Sequence, residues 1–554
     1  MNRLVLTILG IMGALVIAVG AIVIALVATG GDDNGPSGQQ PNQTPGSETS
    51  GELRLSGQEP ITLDPAVTQD SASGVYVVEI FGGLLTLDPD LKVQPDLAAE
   101  LPTLENGGKV VNEDGTVTYT FTIRDNATFH DQRPVRADDV KYSLERAADP
   151  ATLSLVAEFF LGDIVGVKEK LRGEADEVSG VQVIDSHTIA ITIEQDLPSF
   201  LYKLTYPTAF VVDQRQIEAD PQNWTRTPNG TGPYMLDEWS FGERIVLKAN
   251  DRYHLGAPHV QTVTYLLSSG GITLYETGDV DVAGVGLDEL ERVQDPADEL
   301  HAQYKSGERL ALDYVGFDTK SPPFDDPKAR EAFVRAIDRE QIASAIFKNA
   351  IPVANGIIMP GMPAYDPQVS LPAFDPAKAR QLLEESKYGG PEGLPKITLA
   401  ESGSGATSGE GTAAIVEMWR QNLGVEVEIQ QADSATFYQD VQDGVYQMWL
   451  IGWIMDYPLE DNLLNLHFDS DSANNDTGYS NPDVDTFLRQ ALTEQDEQTR
   501  IQLYQQAQRE ILADLPWIPL FFDRFHILVK PYVHDYLIPT SIVPRLRFIS
   551  LDGE

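Results

Sequence analysis

The N-terminus decides where the rest of the chain can fold. After Arg3 the run Leu4 to Thr29 contains 26 residues without a charge, and as a helix it would span about 39 Å at about 1.5 Å per residue, enough to cross a bilayer core. The run is longer than the apolar core of an ordinary signal peptide, and its end, "VATGG", is a weak small-residue cleavage signal. A retained anchor over residues 1–30 is therefore expected ahead of a cleaved signal. With Arg3 on the cytoplasmic side, everything that follows lies outside. Residues 31–51, "GDDNGPSGQQPNQTPGSETSG", are rich in Gly, Pro, Ser and Gln and almost free of apolar side chains. They cannot bury enough surface to offset the entropy of ordering, so they read as a flexible tether. Folding is expected to begin near Glu52, in an extracytoplasmic region held to the outer face of the membrane.

That region is large enough for about three domains, and its charge limits its partners. The chain has 84 acidic and 39 basic residues, so it lacks the positive surface that holds nucleic-acid phosphates. It has no cysteine, which excludes disulfides, thiolate metal sites, a cysteine nucleophile and a lipid-modified N-terminal cysteine.

The pattern after Glu52 is α/β. "TVTYTFTI" (Thr116 to Ile123), "HTIAITI" (His187 to Ile193) and "RIVLKA" (Arg244 to Ala249) alternate with period two, as strands do. "DDPKAREAFVRAIDREQIASAIF" has Asp326 placed as an N-cap and Pro327 at the first helical position; "FDPAKARQLLEES" repeats the device at Asp375 and Pro376. "DEQTRIQLYQQAQREILAD" reads as a third amphipathic helix.

No catalytic constellation holds together. HExxH, GxSxG and a phosphate loop are missing. "NGTGPYM" offers Gly230 and Gly232, but Pro233 and a strand pattern follow where a dinucleotide site needs a third glycine and a helix, so it reads as a turn. His130 has Asp131 beside it without ligand spacing and reads as structural or surface. Asp138–Asp139 and Asp325–Asp326 lie at helix starts and read as caps. Neither an enzyme nor a cofactor site is expected.

One acid stands apart. In "YQMWLIGWIMDYPLEDNLL" (Tyr446 to Leu464) the nearly unbroken apolar run Tyr446 to Met455 reads as a buried strand, and Asp456 follows it. Asp456 suits the N-cap of a helix opening at Pro458. It equally suits a carboxylate waiting for a cation at the mouth of the strand.

Six stretches in order are similar to a known family: "YVVEIFGGLLTLDPDLKVQPDLAAEL" (Tyr76 to Leu101), "TYTFTIRDNATFHDQRPVRADDVKYSLERAADP" (Thr118 to Pro150), "NGTGPYMLDEWSFGERIVLKANDRYH" (Asn229 to His254), "GFDTKSPPFDDPKAREAFVRAIDRE" (Gly316 to Glu340), "GWIMDYPLEDNLL" (Gly452 to Leu464) and "LYQQAQREILADLPWIPLFF" (Leu503 to Phe522). The chain resembles the solute-binding proteins of ABC transporters, in the class that includes dipeptide-, oligopeptide- and nickel-binding proteins. The resemblance implies a monomeric, bilobal, periplasmic-binding-protein-like clamp with a hinge and an extra small domain. It implies lobe one from 52–90, 181–268 and 514–554, the small domain from 91–180, and lobe two from 269–513. It also implies a peptide or other small solute as ligand and the transmembrane subunits of an ABC permease as partner. Asp456 would hold the ligand's α-ammonium group, Gly452 and Ile454 would pair with its main chain, Trp453 would lie over a ligand side chain or else pack inward as strand aromatics do, and Tyr457 would join them at the site.

The sequence also departs from the family. Dipeptide-binding relatives meet the ligand carboxylate with an arginine in the loop that here is "ESGSGATSGEGT" (Glu401 to Thr412), which has no basic residue. Some oligopeptide binders use an arginine six residues before the acid, where this chain has Leu450. A long peptide with a solvated end, a cationic ligand without a carboxylate, and a non-peptide solute such as an oligosaccharide or metal chelate all remain open, as does a ligand-sensing surface receptor in place of a permease partner.

Overall fold

The computed structural model describes residues 51–268, 270–403, 409–433, 436–538 and 541–552. The expected anchor, and the expected tether apart from Gly51, lie outside the described residues. Among those described, no helix is long and apolar enough to cross a membrane.

The alternating segments form strands Val117–Thr122, Thr188–Ile193 and Arg244–Ala249. The Asp-Pro device starts helices as expected. Asp326 accepts from the Lys328 amide at 2.8 Å ahead of Pro327–Arg335, and Asp375 accepts from the Lys378 amide at 2.9 Å ahead of Pro376–Glu385. The helical pattern after Asp326 is two helices, because Asp338 caps a new one, Arg339–Ala345, by accepting from the Gln341 amide at 2.9 Å. The third amphipathic helix spans Glu497–Asp514 behind Asp496.

A 10-stranded sheet runs through the molecule in the order Val427–Ala432, Ile397–Ser402, Met448–Ile454, Tyr304–Phe317, Trp517–Val529, Val282–Gly284, Glu52–Ser56, Thr262–Leu266, Arg244–Ala249, Tyr234–Ser240. Two strands in its middle, Tyr304–Phe317 and Trp517–Val529, are 14 and 13 residues long. Each belongs to both halves: one end of the pair borders Val282–Gly284, while Ala311 to Phe317 pairs with Met448–Ile454. Their antiparallel register slips between Glu308 and Leu312. A bulge kinks and twists a strand pair locally, and this one lies where the sheet passes from one half to the other. Arg309 sits in it and pairs with Asp523 at 2.9 Å.

Separate apolar cores flank the crossing. One gathers Leu53, Tyr76, Phe81, Tyr234, Val263, Val529 and Leu551; another gathers Leu312, Phe333, Trp419, Met448, Ile511 and Phe522. At roughly 1.5–3 kcal/mol for each large side chain buried, each contributes a large favourable term to its own half of the molecule. The first is stapled by Asp281, fully buried, which accepts from the Arg54 amide at 2.7 Å, from Arg54 Nη2 at 2.7 Å and from the Tyr532 hydroxyl at 2.7 Å.

A third core lies in a four-stranded sheet ordered Lys109–Val111, Val117–Thr122, Thr188–Ile193, Val181–Asp185. The last two strands fall beyond the expected small-domain boundary at residue 180, in a stretch assigned to lobe one, yet Thr188–Ile193 pairs with Val117–Thr122 and Val181–Asp185 pairs with Thr188–Ile193. The "NGTGPYM" stretch is a turn that packs this sheet's loop against lobe one. A Cβ on Gly230 would lie 2.0 Å from the Ile80 carbonyl oxygen, so only glycine fits. His130 bolts the turn: Nδ1 accepts from the Gly230 amide at 3.2 Å and Nε2 faces the Gly232 carbonyl at 3.2 Å, and burial lowers its pKa to about 4. It is a neutral structural histidine. Asp139 likewise serves its helix start, accepting from the Arg136 amide at 2.8 Å.

Candidate functional site: an open strand edge ending at an acid

The expected apolar strand forms as Met448–Ile454. One edge pairs with Ala311 to Phe317 along its whole length. The other meets Ile397–Ser402 only at Trp449 and Leu450. Beyond Leu450, no strand among the described residues covers it. Alternate residues of an antiparallel ladder turn their N–H and C=O groups to opposite edges. The Met455 amide donates toward the crossing strand, to Leu310 at 2.8 Å, so Trp453 faces that way and the main-chain groups of Gly452 and Ile454 face the open edge. Gly452 is exposed, and a Cβ there would lie 2.5 Å from Asp313 Oδ1. Asp313 is exposed; the protein packed around it, and next Asp523, push its carboxyl up to about 6 against the pull of Arg309.

Trp453 packs inward, as strand aromatics do. Its indole meets His467 edge-on, with ring centroids 4.6 Å apart, and His467 in turn contacts Trp517. The side chain is only partly buried, and its Nε1 has no partner among the described residues. Burial lowers the pKa of His467 to about 4, so the ring under the indole is neutral.

Asp456 is not a helix cap. The short turn of helix after it starts at Glu460 and the next helix at Leu464, with Leu459 and Leu463 as their cap positions. Asp456 instead closes a loop on Asn462: its amide donates to Asn462 Oδ1 at 2.9 Å, and Asn462 Nδ2 donates to Asp456 Oδ2 at 2.8 Å. No cation pairs with it among the described residues. Desolvation, eased only by the Asn462 amide, pushes its carboxyl up to about 7. Tyr206 stands within its field and donates to the Thr68 carbonyl at 3.2 Å.

Tyr457 differs from expectation. Neighbouring side chains in a loop point apart, and this one turns inward: it is fully buried in the small-sheet core and donates to Asp461 Oδ2 at 2.8 Å. It offers a ligand no surface. Asn462 escaped sequence reasoning because nothing in "DYPLEDN" marks a loop closed between its first and last residues.

Beside this strand lies a cavity of about 900 Å³. Its walls come from the Ser56 to Glu59 loop, the start of helix Ser71–Ile80, Arg309 and Phe525 of the crossing strands, and the C-terminal stretch 541–545. Ser541 ties it to the strand by donating to the Met455 carbonyl at 2.6 Å.

Known proteins resemble this chain in sequence and fold. Residues 92–475 match the family described as bacterial extracellular solute-binding proteins, family 5 Middle. The chain is 28% identical over 509 residues to the periplasmic oligopeptide-binding protein OppA of Salmonella typhimurium, covering 87% of this chain and 89% of the relative. It is 28% identical over 505 residues to the probable deoxycholate-binding periplasmic protein YgiS of Escherichia coli, covering 86% and 89%. Among solved structures, the murein tripeptide binding protein MppA of Escherichia coli superposes with a TM-score of 0.77 at 26% identity, covering 90% of this chain and 98% of that one. OppA of Haemophilus influenzae in complex with RPPGFSPFR gives 0.76 at 22% identity, covering 91% and 99%. A family match over most of the folded region, on a bilobal α/β fold with an open strand edge between its lobes, leads to one conclusion: this chain belongs to the family 5 bacterial extracellular solute-binding proteins.

Proposed function

We propose that this chain is the extracytoplasmic capture component of an ABC importer. It holds a peptide in extended form along the open edge at Gly452 and Ile454 and by its α-ammonium group at Asp456, closes two lobes around it, and delivers it to permease subunits in the membrane. The observation that carries this reading is the open edge running into a desolvated carboxylate whose only side-chain partner among the described residues is the Asn462 amide. Main-chain pairing gives affinity with little demand on side chains, and a half-buried, desolvated carboxylate at its end selects for a cation. The bulge at Glu308 to Leu312 supplies the hinge about which the lobes close.

The rest of the reading follows the chain. Lobe one takes the N-terminal, middle and C-terminal segments, and the small domain runs from about residue 91 to the end of strand Thr188–Ile193. The uncharged run Leu4 to Thr29 tethers a monomeric clamp to the outer face of the membrane. A solute like that named for YgiS is a steroid carboxylate without an ammonium group, so it would leave Asp456 unmatched.

The test is mass spectrometry of ligand co-purified with the full chain, followed by calorimetry on the peptides found. Peptides are expected, with N-acetylation weakening binding. Recovery of an oligosaccharide, a metal chelate or a steroid acid in their place would overturn the reading.

A further inference from the structure

The ligand's negative end is the open half of the site. Leu450 and Glu401 to Thr412 provide no base, yet the cavity beside Met455 is lined by two arginines, Arg309 and Arg545. Arg309 is already committed to Asp523 at 2.9 Å. Arg545 is not: its guanidinium carbon lies 5.7 Å from the centroid of the Tyr536 ring, and among the described residues the guanidinium forms neither an ion pair nor a hydrogen bond. In a chain with 84 acids to 39 bases, an arginine left unpaired against a cavity needs a reason. A guanidinium drawn out of water seeks a carboxylate, which it can bind with two parallel hydrogen bonds.

The acids nearby do not fill that role. Glu59 also lines the cavity, but its oxygens accept from Trp239 Nε1 at 2.7 Å and from the Gly242 amide at 2.8 Å. Glu79 uses Oε1 on the amides of Arg545 and Leu546, at 2.8 and 3.0 Å. Its Oε2 is buried without a partner among the described residues. Burial pushes the Glu79 carboxyl up to about 7 against the pull of those amides and of Arg545 and Arg547. When protonated it can donate a hydrogen bond into the cavity beside the guanidinium.

We propose that Arg545, reaching into the cavity from lobe one, binds the C-terminal carboxylate of a short peptide whose other end is held by Asp456. This rests on the peptide reading above and adds the ligand's second end and its length. Ser541 touches Met455, and Arg545 follows four residues later. Four residues of extended chain span at most about 14 Å, an upper bound on that backbone separation that favours a short peptide, of about five residues or fewer. A volume of about 900 Å³ lies within the usual range of about 300–1,000 Å³ for sites that enclose such ligands.

The experiment measures binding of tetra-alanine to the full chain in detergent by calorimetry, with free, N-acetylated and C-amidated forms, in wild type, Arg545→Met and Arg545→Lys. Amidation is expected to weaken binding to wild type at least tenfold and to change it less than twofold in Arg545→Met. The N-acetylation penalty should survive in that variant, which also shows that it is folded. Arg545→Lys, which keeps a charge without the two-pronged geometry, should retain part of the amidation penalty and serves as the folded comparison if the Met variant does not express. An amidation penalty below twofold in wild type, or one undiminished in both variants, overturns the assignment. If acetylation matters while amidation does not, the Arg545 assignment falls and the peptide reading stands. If no form of the peptide binds wild type, both fall.

Discussion

Asp281 and Asp456 are both carboxylates drawn away from water at the ends of strands, and they do opposite things. An ionised carboxylate offers about four acceptor sites. Asp281 fills them from within the protein, with the Arg54 amide and guanidinium and the Tyr532 hydroxyl. Asp456 receives a single side-chain amide, from Asn462. The first is a staple, complete as it stands. Among the described residues the second has capacity left over and no cation to offset its charge, as the proposed binding role requires. Unfilled bonding capacity, more than burial itself, separates a site from a scaffold.

Substitution sharpens the contrast, and the largest effect is expected on affinity. Asp456→Asn keeps shape and some hydrogen bonding but leaves a bound ammonium without its counter-charge. Losing one partner of a buried pair costs about 3–5 kcal/mol, or roughly two to four decades of affinity. Calorimetry with a free-amine peptide and its N-acetylated form should show acetylation weakening binding to wild type and mattering far less in the variant. Unchanged affinity would return Asp456 to the scaffold.

The same acid predicts a pH dependence. Its carboxyl in the folded, unliganded protein is raised from the usual 3.8 to about 7. The folded state therefore holds a proton that the unfolded state has released, and Asp456's contribution to stability is full below about pH 4, falls as pH rises toward 7 and is flat above. An ammonium ligand needs the ionised form, so affinity should climb by up to about tenfold per pH unit below 7 and level off above it. Binding near pH 6 should then release a proton, visible as a dependence of the calorimetric heat on buffer ionisation. A pH-independent affinity between 5 and 8 would contradict this.

Asp281→Asn should do the reverse, lowering stability by about 2–3 kcal/mol, since Arg54 is itself partly exposed, while leaving the affinity of whatever remains folded within twofold. Denaturant titration checks the first and calorimetry the second. The smallest effect is expected from Tyr457→Phe, which removes one buried hydroxyl from Asp461 and should cost about 1 kcal/mol of stability with no change in affinity. A loss of affinity there would place Tyr457 in the cleft after all.

Much of this was legible in the sequence, for physical reasons that differ by element. Asp326 and Asp375 announce helices because a cap and its amide are neighbours in the chain. The strand before Asp456 shows because apolar runs are local too. The division of "DDPKAREAFVRAIDREQIASAIF" at Asp338 was hidden, since both halves keep helical spacing and only the second cap betrays the break. Strand Thr188–Ile193 reveals itself as a strand but not as a member of the small sheet, because pairing is decided by partners that lie far away in sequence. Resemblance found Asp456, while Asn462 and Arg545 needed the fold: the first closes a loop with no signature, and the second reaches its cavity from the far end of the chain. Asp281 and Arg54 stand 227 residues apart, so no local pattern could pair them.

The core that holds Leu53 also holds Leu551, and that has a consequence for the life of the chain before it binds anything. A ribosome adding about 5–20 residues per second takes about 25–100 s to travel from one to the other. For that whole interval the first lobe cannot close, because its sheet still lacks the strand Trp517–Val529. The nascent polypeptide is thereby kept from locking into its final shape until that strand has been made, a delay that suits a protein whose place is outside the cytoplasm.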